Sequence, residues 1–495
     1  MSSQRLIVMK FGGTSVGNAA RFRQCAEIIG SASQDRVIVV VSAVAGVTDL
    51  IFKTMDAARH GDSSATEVHL KKFEAIHREL IIELLDETHA HAALEFTSNV
   101  VDQLRNSSQA LLALRSEISP QTKDVLAALG EKVSAWVLAR YMEQTGKHGQ
   151  FVRAEDAIVT DSNFGNAAPD MEATSAHCQA VLLPILESGG VPIVAGYSGA
   201  TKDGHTTTLG RGGTDYSATI LGAAASADEV WIWTDVDGVL TADPRICPDA
   251  TILPEISFAE AIELAYYGAK VIHPKAAYPA ADAGIPIWIK NSFRPDAPGT
   301  KITQAASPAS SGVKAVTWVN HATLITLVTR RDVNPVELWG RLFLRLGQEQ
   351  TEVLFATQSS PEHALGLVLR KEDSARVLKL IDSIFRMELA QGALTPVAVH
   401  NDIAVVAVLG ESMKGQCGIL GRLFSSVAQC QVSVIAVAQG ASELSICFAV
   451  PSASATEVVR AVHNEFCART DATDVADGGV PICVRPRASV TAGAQ

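Results

Sequence analysis

The chain has 495 residues, 47% of them hydrophobic and 19% charged, with a formal net charge of −12 at pH 7. That length exceeds one ordinary core, so two to four globular domains are expected. The acidic balance argues against a nucleic-acid partner, and the absence of a leader-like segment or a membrane-length apolar run predicts a cytoplasmic protein with no membrane contact.

Leu6–Met9 is the first short apolar run. It ends in Lys10-Phe11-Gly12-Gly13-Thr14-Ser15, where glycines let backbone N–H groups approach an anion and the lysine adds a point charge. A helical pattern over Ala20–Ile29 follows, then a strand over Val37–Val41. Between Asp49 and Gly146 no strand pattern occurs, and Glu67–Leu85 and Lys123–Tyr141 read as a helical insertion covering one end of a sheet. Strand patterns resume at Val191–Ala195, Val230–Trp233 and Pro286–Ile289, with a helical pattern at Ala259–Ala265. This alternation predicts an α/β fold with a mostly parallel sheet between helices. A second glycine-rich run, Thr208-Leu209-Gly210-Arg211-Gly212-Gly213-Thr214-Asp215, precedes Trp233-Thr234-Asp235-Val236-Asp237-Gly238. Two phosphate-cradle segments in one chain, with a carboxylate to orient the lysine or hold Mg²⁺, point to nucleotide-dependent phosphoryl transfer.

The Pro, Ala, Ser and Gly content of Pro295–Ser311 predicts a linker. Beyond it Gly340-Arg341-Leu342-Phe343 recurs as Gly421-Arg422-Leu423-Phe424, and the same offset carries Gln358 onto Gln439, Ser360 onto Ala441 and Glu362 onto Glu443. Apolar strands flank both copies, Leu324–Val328 with Val405–Leu409 and Leu365–Leu369 with Ile446–Val450. A duplicated α+β module of split-βαβ type is the simplest account. The eight cysteines, Cys25 to Cys483 with no C-x-x-C pair, read as reduced thiols rather than a disulfide framework or zinc site.

The ordered motifs Lys10–Val16, Ser42–Thr48, Gly130-Glu131, Phe164-Gly165, Thr206–Ser217, Trp233–Arg245, Tyr267–Pro274 and Ile289-Lys290-Asn291 closely resemble the aspartokinases over nearly the whole chain. The resemblance implies an amino-acid kinase domain over residues 1–305, two ACT-type domains over 312–390 and 391–472, and a tail over 486–495. It implies transfer of the ATP γ-phosphoryl to the side-chain carboxylate of L-aspartate, with Mg²⁺ carried mainly by the nucleotide phosphates and no protein metal site. Lys10, Asp215 and Lys270 are then the catalytic residues. Lys10, Phe11, Gly12, Gly13, Thr234, Asp235, Leu240, Arg245, Lys270 and Val271 line the nucleotide, Leu240 standing where the family often has tyrosine. For aspartate, Arg211 offers a bidentate fork, Glu131 an ammonium partner, Ser42, Thr48 and Thr214 hydroxyls, and Phe164 and Tyr197 ring surfaces.

Spacing alone reads Glu131 as an ordinary helix residue, Asp237 and Asp243 as turn formers, and His205 and His273 as structural. The rival readings are another amino-acid kinase of the same fold and a catalytically inactive amino-acid sensor; retention of Lys10, Arg211, Asp215 and Lys270 argues against decay. No P-loop, H-R-D or D-F-G motif occurs. A monofunctional enzyme is expected, assembled as a homodimer or larger homo-oligomer through the ACT-type modules. Threonine is the favoured effector, with lysine second. Gln439, with Gly415 and Gly418 freeing backbone N–H groups, forms the expected site; the Gln358 copy, with Asn334, Pro335 and Glu337 in place of that glycine-bearing turn, is expected to bind weakly or not at all.

Overall fold

The computed structural model describes residues 4–115, 117–269, 272–306, 312–359 and 363–467. They fall into two compact units, one formed by residues 4–239, 252–265 and 272–306, the other by 240–251, 266–269 and the described part of 312–467. The expected tail lies outside the described residues, as do Lys270, Val271, Ser360 and Glu362.

The first unit is built on strands β1 (Leu6–Phe11), β2 (Arg36–Val41), β3 (Gly149–Val152), β5 (Val191–Ala195), β8 (Glu229–Thr234), β9 (Glu255–Ser257), β10 (Ile287–Asn291) and β11 (Thr300–Thr303). They form one sheet in the order β3-β5-β2-β1-β8-β10-β11-β9. Every pairing is parallel except β10 with β11. Thr300–Thr303, inside the stretch whose composition predicts a linker, is therefore sheet, because its alternation supplies Thr300 and Ile302 to the core. A three-stranded sheet of β4 (Val159–Thr160), β6 (Ser198–Thr201) and β7 (Thr206–Thr208) lies in the same unit.

Strand alternation sorts β1 between two helical layers. Ile7, Met9 and Phe11 join a core with α1 (Ala19–Ser31), α2 (Val47–Arg59), α3 (Ser63–Leu84), α4 (Glu87–Leu114) and α6 (Leu129–Gln144). Val8 faces the other way, close to Gly222 of α9 (Gly213–Ala224), and period two puts Lys10 on that face as well. No strand forms over 49–146 among the described residues, as the sequence predicts, and helices α2 to α6 fill that stretch. The Lys123–Tyr141 pattern splits into α5 (Pro120–Ala127, capped by Ser119) and α6. The unit is completed by α7 (Ala154–Ala157), α8 (Met171–Glu187), α10 (Phe258–Tyr266, whose last residue joins the second unit) and α11 (Pro274–Ala283).

The second unit holds an antiparallel sheet, β13 (Val353–Ser359), β14 (Ala364–Arg370), β12 (Ala315–Val328), β15 (Ala398–Leu409), β17 (Ser445–Pro451) and β16 (Ala436–Gln439) in that order. Two cores share it. Ile325 and Leu327 pack with α12 (Pro335–Gln348) and α13 (Lys371–Ile384), followed by α14 (Arg386–Ala390), whereas Val316, Val406 and Val408 pack with α15 (Ile419–Gln429) and α16 (Ala455–Phe466). The two halves of β12 thus serve different modules. A register shift after Val319 and left-handed residues His321 (φ 57°) and Asp402 (φ 58°) mark the changeover. The sequence repeat is also a repeat of contacts: Leu342 and Leu423 are both fully buried, Arg341 pairs with Glu388 over the Phe385 ring, and Arg422 pairs with Glu465 over the Phe466 ring.

Residues 240–251 fold into this unit. Ala242, Ile246 and Cys247 enter the α15–α16 core, Thr241 Oγ1 shares a 2.9 Å hydrogen bond with His463 Nε2, and the Val316 N–H donates to the Thr241 carbonyl. No described helix is long and apolar enough to cross a membrane.

The register of α12 is open to a direct test. Leu342 is fully buried and Leu344, two residues on, is 64% exposed. Leu342→Ala is expected to cost about 2–5 kcal/mol and Leu344→Ala less than about 0.5 kcal/mol, read by denaturant unfolding.

Candidate active site

The site sits where β1, β2 and α9 of the first unit come together. Lys10, the one charged residue in β1, emerges on the α9 side, and Asp215 occupies the first turn of that helix. Their Nζ and Oδ1 atoms are 2.6 Å apart, with side chains only 11% and 19% exposed. The pair joins the two glycine-rich segments.

Beyond Lys10 the chain turns at Gly12, whose N–H donates to the Trp233 carbonyl at 3.3 Å, and Gly13, whose added Cβ would sit 2.9 Å from the Ala43 carbonyl. Before α9, Gly210 (φ 78°) and Gly212 (φ 71°) take left-handed conformations that a side chain disfavours. Gly212 leaves the α9 N-terminus without a side-chain cap, so first-turn N–H groups face the pocket. His273 packs against Gly212 closely enough to exclude a Cβ, in keeping with a structural histidine.

A pocket of about 450 Å³ is lined by Lys10, Gly12, Gly13, Ser42, Thr48, Glu131, Gly165, Tyr197, Arg211, Thr214 and Asp215, with Gly210, Gly212 and Gly213. Residues from six separated stretches of sequence thus converge. Ser42 and Thr214 hydroxyls are 3.4 Å apart. Arg211 is exposed and has no ion-pair partner among the described residues. Tyr197 holds φ 71°, a costly conformation for a bulky residue, and its ring fills the space beside Gly213. Its N–H donates to Ser217 Oγ, whose hydroxyl donates to the Gly213 carbonyl, which ties the strained residue to α9.

Glu131 is the most altered group in the pocket. It is 3% exposed in the first turn of α6, and Gly130 before it packs against Ala43 and Val47 too tightly for any side chain. One carboxylate oxygen, Oε2, has no hydrogen-bond partner. Burial pushes its pKa from the ordinary 4.5 up to about 7, against smaller lowering effects from hydrogen bonding to backbone N–H groups, Ala43 among them. A dry, half-satisfied carboxyl facing a pocket suits a cationic ligand group.

Other expected residues are placed differently. Phe164 does not line the pocket, which its neighbour Gly165 reaches. Phe11 is fully buried and stacked on Trp233 at 6.2 Å, so only its backbone is available to a ligand. Thr234 donates to Asp235 Oδ1 at 3.2 Å at the end of β8. Asp237 accepts a 2.7 Å bond from Asn291 and pairs with Arg294, a fuller role than a turn former has. Leu240 and Arg245 belong to the second unit, where the Arg245 guanidinium forks onto Asp243 at 2.6–3.2 Å. Asp124 and Lys275, absent from the sequence reading, hold the loops around the pocket; no motif or spacing marks either of them.

In the second unit Gln439 and Gln358 are both exposed on edge strands. Gly418 begins α15 with no side-chain cap, and the Gly415 N–H donates to Glu443 Oε2 at 2.8 Å. Asn334 caps α12 through a 3.1 Å bond from the Val336 N–H.

The amino acid kinase family matches residues 5–291, and an ACT domain matches residues 406–466. Aspartokinase 1, chloroplastic, of Arabidopsis thaliana is 31% identical over 485 residues, 94% of this chain and 81% of that protein. This chain belongs to the aspartokinase family. The structure of E. coli aspartokinase III in complex with aspartate and ADP superposes with a TM-score of 0.79 at 30% identity, over 93% of this chain and 99% of that one. The same enzyme with lysine and aspartate gives 0.77. The bifunctional aspartokinase/homoserine dehydrogenase of Haemophilus influenzae is 31% identical over 465 residues, 92% of this chain but 56% of that protein. The chain thus spans about half the length of the bifunctional relatives it matches.

The environment of Glu131 predicts an unusual titration. Its side-chain ¹³C resonance is expected to titrate near pH 7, not near 4.5, and that transition is expected to vanish in Glu131→Gln.

Proposed function

We propose that the chain phosphorylates the side-chain carboxylate of L-aspartate with ATP, giving 4-phospho-L-aspartate and ADP. This is the first step of the aspartate-family pathway to lysine, threonine and methionine. One observation carries the reading: a lysine–carboxylate pair between two glycine-rich turns shares a pocket with an unpaired arginine and a buried glutamate. ATP supplies the phosphoryl group, and Mg²⁺ would offset charge on its phosphates.

The acceptor carboxylate is already ionised, so the reaction needs no strong general base. What must be overcome is repulsion between two anions, by positioning and fixed charge. Lys10 stands where charge accumulates on the transferring group, with Gly13 and the α9 N-terminus offering N–H donors beside it. Asp215 holds the Lys10 ammonium in place, and its remaining oxygen is suited to help orient Mg²⁺; among the described residues no cluster of acidic or His/Cys side chains is arranged as a separate metal site. Arg211 takes the α-carboxylate of aspartate, Glu131 its ammonium, and Ser42, Thr48 and Thr214 add hydroxyl contacts. Tyr197 closes that end, beside Gly165. The Phe11 backbone, Gly12, Thr234 and Asp235, with Lys270 and Val271, belong to the nucleotide side.

ADP release is expected with L-aspartate and to be at least about 100-fold slower with L-glutamate, whose extra methylene displaces the reacting carboxylate by about 1 Å. Lys10→Ala is expected to fold and to lose about 100- to 1,000-fold in kcat. Near-normal turnover in the folded variant, or equal use of the two amino acids, refutes the assignment.

Feedback through the ACT-type modules completes the reading, with threonine as the favoured effector and a homodimer as the smallest assembly. The uncapped N-terminus of α15 leaves N–H groups for an amino-acid carboxylate beside Gln439, whereas Asn334 already occupies the matching place on α12. One effector site per chain is therefore expected. Calorimetric titration should show threonine binding that is lost in Gln439→Ala and retained in Gln358→Ala; lysine binding in its place assigns a different regulatory class.

A further inference from the structure

Two charged side chains of opposite sign clasp the same pair of backbone segments at the rim of the pocket. Asp124, on α5, is 2% exposed. Its Oδ2 accepts the N–H groups of Gly165 and Thr208, both at 2.8 Å, and its Oδ1 accepts the Thr208 hydroxyl at 2.8 Å. Lys275, on α11, donates from Nζ to Asn166 Oδ1 at 2.8 Å and to the carbonyls of Ala167 and Leu209 at 3.3 Å. Each side chain thus bonds to the 161–168 loop and to the end of β7, and neither forms an ion pair among the described residues. The Ala167 N–H donates to the Thr208 carbonyl at 2.9 Å and closes the seam between them.

We propose that Asp124 and Lys275 are positioning residues for the phosphoryl acceptor, setting the loop that carries Gly165 and the turn that carries Arg211. The proposal rests on the aspartate reading above. Both segments are irregular, with Gly165 at φ 86° and Gly210 at φ 78°, so neither places its N–H groups in a continuous ladder. An apolar residue of similar size would leave the Gly165 and Thr208 N–H groups without their acceptor, so the carboxylate satisfies donors that these irregular segments cannot pair for themselves. What it supplies is direction: three donors from two segments converge on one rigid group. All three bonds are internal, so Asp124 acts through its partners. The Leu209 N–H, next to Thr208, donates to the Tyr197 carbonyl at 2.9 Å, and Arg211 follows Leu209 by two residues. Displacement of a binding group by about 1 Å is enough to cost on the order of 100-fold.

Steady-state kinetics on the full chain test the proposal. Asp124→Ala is expected to raise the aspartate KM at least about tenfold while the ATP KM stays within about twofold, because only the acceptor end shifts. Asp124→Asn is expected to recover most of that loss, since its carbonyl still accepts both N–H groups and its amide donates to the Thr208 oxygen. Lys275→Met is expected to raise the same KM. A lower melting temperature with both KM values unchanged in the surviving enzyme reduces the two residues to structural ones and overturns the proposal. Should Asp124→Ala fail to fold, unchanged aspartate KM values in Asp124→Asn and Lys275→Met overturn it equally. Hydrogen exchange separates this from failure of the aspartate reading: residues 161–168 should lose protection in Lys275→Met whatever the acceptor is, and retained protection defeats the clasp even if the wild type does not turn over aspartate.

Discussion

A lysine at the end of a buried parallel strand needs a partner, and in this chain that partner is Asp215. β1 is covered on both faces, so an ammonium projecting from it toward α9 meets a helix and not solvent. The cost of desolvating it is offset because the first turn of α9 carries a carboxylate at 2.6 Å. The rest of the pocket is arranged around that pairing. The glycines after Lys10 and those before α9 line the same pocket.

The pocket shows a division of electrostatic labour. One side holds the Lys10 ammonium, its Asp215 partner and the α9 N-terminus, which in the proposed reaction lower the repulsion between an anionic acceptor and an anionic donor. The other side holds an exposed Arg211, without an ion-pair partner among the described residues, and a buried Glu131 whose pKa is pushed up to about 7. A zwitterion matches those two groups and a simple dicarboxylate does not. The surrounding loops are held by Asp124 and Lys275, each spending its charge on backbone.

Regulation has a physical route into this arrangement through the chain itself. Residues 240–251 leave the kinase unit after Val239 and return to it at Ile252, and in between Ala242, Ile246 and Cys247 are buried in the α15–α16 core. Thr241 is bonded to His463 of α16, and the Arg460 guanidinium reaches the Ile246 carbonyl at 3.3 Å. An effector that changes the packing of α16 therefore acts on a segment continuous with the end of β8. Coupling of that kind requires differential affinity for two states of the segment. The duplicated modules differ at the starts of their helices, α12 beginning with a capping asparagine and α15 with a glycine that makes no side-chain cap.

Much of this was legible in the amino-acid order. Short apolar runs marked β1, β2, β5, β8 and β10, the strandless stretch from Asp49 to Gly146 proved helical, and the Gly-Arg-Leu-Phe repeat marked two modules whose arginines make equivalent ion pairs. These features are local: side-chain volume, backbone freedom and periodicity act within a few residues and leave their trace in composition. The glycine segments with Lys10, Arg211 and Asp215 were readable for the same reason. Tertiary structure alone decided the rest. It gave β12 to two modules at once, moved residues 240–251 into the second unit, kept the Phe11 ring out of the pocket, and turned Glu131 from an ordinary helix residue into a buried carboxyl. Asp124 and Lys275 lie at no recognisable spacing from the segments they hold, because those bonds join residues 41 to 109 positions apart in sequence. Convergence over such distances depends on how helices and sheet pack, and packing leaves no local mark on the chain.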